Sequence, residues 1–224
     1  MEYKNEQNVE NNIINQNNKI IETKSKSIED IINKEDIINF ISSTFYSIIN
    51  CNKIMKRKQS RGPNEPLYSK NIPVLSLNKF LVRIMKYTEC ENNTLIVAYL
   101  YIMKLIENES FVLGINNAYR LLLGAVVLAK KVLEDIRFNN AYYCDIGGIS
   151  VNELNMIEYS LCTIRINFDV NLKMEDVNKV YSQIICFLSP TRLNQIYQEQ
   201  DNNGKEIINQ YIKNNSKKED EKNK

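Results

Sequence analysis

One stretch constrains the fold of this chain more than any other: Leu121-Leu-Leu-Gly-Ala-Val-Val-Leu-Ala129. As a helix these residues make about two and a half turns with no polar face. A helix that is apolar all round needs neighbours on every side. The run is far short of the ~20 residues that span a bilayer, so those neighbours are expected to be other helices. Lys130 and Lys131 follow at once, at a helix C-terminus where cations suit the dipole.

The rest of the chain supplies such neighbours. Residues 28–54 place Ile28, Ile31, Ile32, Ile38, Ile41, Phe45, Ile48 and Ile49 at spacings of three and four, which predicts a helix or helix pair. Ser76 is a cap for a helix running to Tyr87, with Leu77, Phe80, Leu81 and Ile84 on one face. Further helices are predicted over 94–107, from Asn116 or Asn117 to Asp135, and over 175–188. Ser150-Val-Asn-Glu153 has the form of a capping box ahead of the stripe Leu154, Ile157, Leu161 and Ile164. Pro63, Pro66 and Pro73 exclude a continuous helix between 56 and 73. The chain thus divides into a polar tail 1–27, a helical extension 28–55, a linker 56–73, an all-α domain 74–190 and a polar tail 191–224. Only a short helix around Glu206–Ile212 is expected in that last part.

Composition narrows the function. Six Gly and four Pro in 224 residues disfavour a turn-rich β-sandwich or barrel. The absence of His excludes a Ser-His-Asp triad, a Cys-His dyad and His-ligated zinc or haem. No carboxylate pair has a catalytic look, and Glu134-Asp135 reads as a surface helix ending. Five widely spaced cysteines without a CxxC argue against a disulfide framework and for reduced thiols, hence a nuclear or cytoplasmic setting. No cofactor or metal is expected. The polar, acidic segment 1–12 is unlike a secretory signal. A net charge of +2 gives no global claim on nucleic acid, and the cluster Lys53, Lys56, Arg57, Lys58 and Arg61 reads as a solvated helix end and loop.

Four pieces in order carry a resemblance: FLVRIMKYTEC at 80–90, TLIVAYLYIMKLI at 94–106, NAYRLLLGAVVLAKKVLED at 117–135 and FNNAYYCDIGGISVNELNMIE at 138–158. Together they resemble the box of the P-type, single-box cyclins. The last piece is the most specific, through its N-N-x-Y-Y, its Gly147-Gly148-Ile149-Ser150 and its E-L-N. The resemblance implies a five-helix cyclin box with an N-terminal helical segment and flexible polar tails. It departs from the family at Met103-Lys104, where Asp-Arg is usual, and the interval from Glu158 to Phe168 is one residue longer.

The resemblance implies a non-catalytic subunit that binds and activates a cyclin-dependent protein kinase, as in the cell cycle. The third and fifth box helices would form a groove for the kinase αC helix. Lys131 and Glu158, the latter placed on the fourth box helix, would reach kinase backbone groups, with Val132 and Leu128 beside them. Arg83, Asn140, Tyr142, Tyr143, Gly147, Gly148 and Ser150 are implied as structural parts of the motif. Gly147-Gly148 reads as a turn with positive φ ahead of the Ser150 cap, and not as a phosphate loop. Two other functions fit a cyclin fold: a scaffold in transcription, and a pseudo-cyclin that binds a kinase without activating it. A membrane partner is not expected.

Overall fold

The computed structural model describes residues 27–57, 66–107, 111–135, 138–165 and 170–222, of which 164–165 and 214–222 are described by backbone alone. Of the expected tail 1–27, residues 1–26 lie outside the described residues, as do Lys58 and Arg61. Every regular element among them is helical, as the periodicity predicts.

The extension is a helix pair. The single turn α1 (Ile28–Ile31) leads into α2 (Lys34–Ile54), which opens on an Asn33 side chain accepting from the Asp36 N–H at 2.9 Å. Next come α3 (Leu77–Thr88), capped by Ser76 as predicted, and α4 (Asn92–Glu107). The central helix α5 (Ile115–Leu133) carries the apolar run, and residues 121–130 are all buried. It packs most extensively on α4, and also on α3 and the two helices that follow it.

Those two are α6 (Asn140–Gly147) and α7 (Val151–Tyr159). The sequence predicts only a turn before Ser150, and the structure puts the eight-residue α6 there. Counted with it, α3 to α7 make five helices, and Glu158 stands on the fifth, not the fourth. Past Tyr159 the helix continues as a π-helix, Ser160–Arg165. A π-turn accommodates one extra residue within a helix, and the extra residue read between Glu158 and Phe168 falls in this region. Thr163 Oγ1 donates to the Tyr159 carbonyl at 2.6 Å, which satisfies a group that the regular ladder would otherwise bond.

The largest departure from expectation is at the C-terminus. After α8 (Met174–Phe187), where a polar tail is expected, the chain forms α9 (Pro190–Glu199) and α10 (Asn202–Lys222). Each buries one isoleucine, Ile196 and Ile208, in the common core. Helix α10 lies against α8 and α1. Arg192 on α9 grips the buried Asp36 of α2 through both carboxylate oxygens, at 3.1 and 2.9 Å. The end of the 56–73 linker is also held: the Ser69 N–H donates to the Asn116 carbonyl at 2.8 Å and Arg120 donates to the Pro66 carbonyl at 3.0 Å.

Candidate partner-docking site

The last turn of α5 carries two lysines with opposite fates. Lys130 continues the buried face and is 2% exposed, whereas Lys131, ~100° further round the helix, has a side chain 32% exposed. Lys130 is held by Glu134. One oxygen of that carboxylate also accepts from Thr94 Oγ1 at 2.6 Å and from the Glu91 N–H at 3.2 Å, so it caps the start of α4. Burial alone would raise the Glu134 carboxyl, but the hydrogen bonds from Lys130, Thr94 and Glu91 outweigh it and hold it below its ordinary value. Glu134 is therefore an interior ion-pair partner, and not the surface ending expected of it.

Lys131 points across to α7. Its Nζ is 2.6 Å from Glu158 Oε1 and 2.9 Å from Asn140 Oδ1. Asn140 closes the ring by donating from Nδ2 to Glu158 Oε2 at 2.6 Å, and to Asn155 Oδ1 at 2.8 Å. The Glu158 side chain is 16% exposed. Two of the three Lys131 donors are thus used within the described residues. One N–H and further carboxylate lone pairs remain for an outside partner. The same two helices also expose apolar side chains, Val132 (44% exposed) and Leu133 on α5 and Val151, Met156 and Tyr159 on α7.

Helix–helix contact sets this geometry. Gly124 lets α7 approach α5 closely: a Cβ there would lie 2.4 Å from Ile157 Cγ2 and 2.8 Å from Leu161 Cδ1. Of the glycine pair, only Gly148 takes positive φ (+66°), where it ends α6. Gly147 serves close approach instead, since its Cβ would meet Leu123 Cδ2 at 2.3 Å. Ser150 forms the predicted capping box. Its N–H and Oγ donate to Glu153 Oε2, each at 2.9 Å, and its Oγ accepts from the Glu153 N–H at 3.2 Å. Those bonds, ahead of the nearby Arg120, pull the Glu153 carboxyl below its ordinary value.

The other expected residues are distributed as follows. Leu128 is 8% exposed and sits in the core, because it lies on the inner side of α5, so it has almost no surface to offer a partner. Arg83 is exposed and donates to the Asp145 carbonyl on α6 at 3.1 Å, which ties α3 to α6. The Tyr142 hydroxyl donates to the Tyr87 carbonyl at 2.7 Å. Tyr143 is fully buried, edge-on to Phe138, and burial pushes its hydroxyl pKa up. Met103, where the resemblance leads one to expect Asp, lines an open cleft of about 620 Å³ between α4 and α8. Met156 and Tyr159 are not singled out by the sequence, and Asn155 only as the end of the E-L-N motif. Asn155 sits three residues before Glu158, a spacing that puts both on one helix face.

No metal-binding cluster of His, Cys, Asp and Glu occurs among the described residues. No described helix is long and apolar enough to cross a membrane. Burial pushes the Cys90 and Cys144 thiols up, which suits core packing more than thiolate chemistry.

This all-helical arrangement matches a known family along most of its length. The sequence profile of the cyclin family, described as "Cyclin", fits residues 7–170, and the chain belongs to that family. Cyclin-U4-1 of Arabidopsis thaliana is 29% identical over 150 residues, 66% of this chain and 74% of its own length. Cyclin-U4-3 of the same plant is 35% identical over 118 residues, 52% of this chain and 51% of its own. Cyclin-P3-1 of Oryza sativa subsp. japonica is 35% identical over 103 residues, 46% of this chain and 42% of its own.

Proposed function

We propose that this cyclin is a single-box, P-type-like regulatory subunit that binds a cyclin-dependent protein kinase through the α5–α7 face and activates it. The observation that carries this reading is the Lys131–Glu158 pair, locked by Asn140 on helices that also expose apolar side chains. A charged pair with spare donor and acceptor capacity suits the backbone groups at the end of a partner helix. Exposed apolar side chains on α5 and α7 offer burial, the main driving force of association. Held against this face, the kinase αC helix keeps its glutamate on the nucleotide-binding lysine, an ion pair required for phosphoryl transfer. The cyclin itself does no chemistry and works by shifting the kinase between two conformations. Nuclear or cytoplasmic residence belongs to the same reading.

The test is a one-to-one complex with a purified cyclin-dependent kinase and a rise in substrate phosphorylation. Lys131→Glu and Glu158→Lys should each weaken the complex by ~2–5 kcal/mol, the usual cost of losing one member of a buried charged hydrogen bond. The double exchange Lys131→Glu/Glu158→Lys separates folding from binding. It restores an internal ion pair, so stability should return, but its polarity is reversed, so kinase affinity should stay low. Glu175→Lys on α8, an exposed charge away from the site, is the control. If the single reversals bind as tightly as the parent, the docking face is elsewhere. A complex that forms without raising phosphorylation would establish the pseudo-cyclin alternative.

A further inference from the structure

We propose that Asn140 is the positioning residue of the docking face, a neutral bridge that keeps Lys131 and Glu158 in the geometry a partner reads. The inference rests on the docking role proposed above for α5 and α7. Adjacent asparagines open α6 and divide two tasks. Asn139 is the cap, its Oδ1 accepting from the Tyr142 N–H at 2.9 Å. Asn140 takes no part in capping. Its amide faces the ion pair, with Oδ1 2.9 Å from Lys131 Nζ and Nδ2 2.6 Å from Glu158 Oε2.

The chemistry selects this side chain. A group placed between an ammonium and a carboxylate must accept from one and donate to the other, and an amide does both without adding charge. Its orientation is forced, because a flipped amide would aim NH₂ at the ammonium and oxygen at the carboxylate. Asn155 Oδ1, 2.8 Å from Nδ2, takes the second amide proton. Asn140 therefore joins α5, α6 and α7 at one point. Without it Lys131 and Glu158 keep their 2.6 Å contact but lose the restraint on where their unused N–H and lone pairs point. Ordering them again would fall on the binding step, which lowers affinity.

The experiment compares Asn140→Ala and Asn140→Asp with the parent, alone and combined with Lys131→Met. The readouts are the dissociation constant against purified cyclin-dependent kinase subunits, the melting temperature, and hydrogen exchange of the Lys131 ammonium seen by NMR in the free cyclin. Asn140→Ala should weaken binding about tenfold, with less than about a twofold effect once Lys131 is Met. Exchange of the Lys131 ammonium should quicken. Asn140→Asp discriminates most sharply. An acid in the first turn of α6 is favourable for the helix, so a purely structural Asn140 predicts a stable, fully binding variant. A bridge predicts the opposite, because the new carboxylate faces Glu158, and Asp should bind worse than Ala. Parent-like affinity in Asn140→Ala, or an equal loss with and without Lys131, overturns the inference. If Lys131→Met weakens binding while Asn140→Ala does not, the docking reading survives and this one fails. If Lys131→Met binds like the parent, both fall.

Discussion

Gly124 acts through what it lacks, since the α5–α7 contact that aligns Lys131 with Glu158 has no room for a β-carbon there. Gly124→Val should cost about 3 kcal/mol, because a branched side chain would press on the buried Ile157 and Leu161. Thermal melting should register a fall of about 6–12 °C for a chain of this size. Glu134 shows the same dependence on neighbours in its charge. Its carboxyl is held below the ordinary value of 4.5. A group with a depressed folded pKa contributes stability that is present above the unfolded value and lost as pH falls through the folded one. The parent should therefore lose melting temperature below about pH 4.5 more steeply than Glu134→Gln does. Parallel pH profiles for the two proteins would contradict the ion pair. At position 103 the outcome is a cleft-lining methionine, and Arg83 has found a backbone carbonyl as its partner.

Helices α6 and α7 show how much of an element is legible. The Ser150 box was readable because a cap is a four-residue chemical pattern, and the structure reproduces it bond for bond. Helix α6 was not, since its eight residues bury only Tyr143, Cys144 and Ile146, and a glycine ends it with another as its C-cap. So short a helix has little intrinsic stability, and α3, α5 and α7 hold it in place. Its end depends on Gly148 in the left-handed region. Gly148→Ala should cost about 1 kcal/mol through backbone strain, and Ser150→Ala about 1 kcal/mol through the lost cap. Chemical denaturation of the two single variants and their combination measures both. Losses far beyond these values would mean that the turn carries tertiary contacts as well.

At the scale of the molecule, the C-terminal helices close the fold back on its N-terminal extension. Arg192 neutralises Asp36, a buried carboxylate 156 residues away in sequence. Arg192→Ala leaves that charge buried without its partner and should cost about 3 kcal/mol. Asp36→Asn should relieve part of the loss in the double variant, since a neutral amide needs no counter-charge. Limited proteolysis offers a second check. Cleavage should spare residues 190–208, whereas a polar tail from 191 onward would be cut first. Early cutting between 190 and 208 would remove α9 and α10 from the native state.

Hydrophobic period and short motifs were enough to determine the helical class, the central helix, the Ser76 and Ser150 caps and the family, because each is a pattern of near neighbours along the chain. Lys131 and Glu158 are legible in the sequence only through a family likeness, which has each reach a kinase; that they pair with each other is not. Three features were decided by tertiary structure alone. Lys130 and Lys131 part company because one faces the core and the other its edge. Asn140 bridges charges that lie 9 and 18 residues away. Ile196 and Ile208, in otherwise polar sequence, reach the core because α10 lies against α1 and α8 and α9 packs beside α10. Local pattern encodes which face of a helix is apolar. It does not encode how two helices cross, and the crossing decides which polar groups meet.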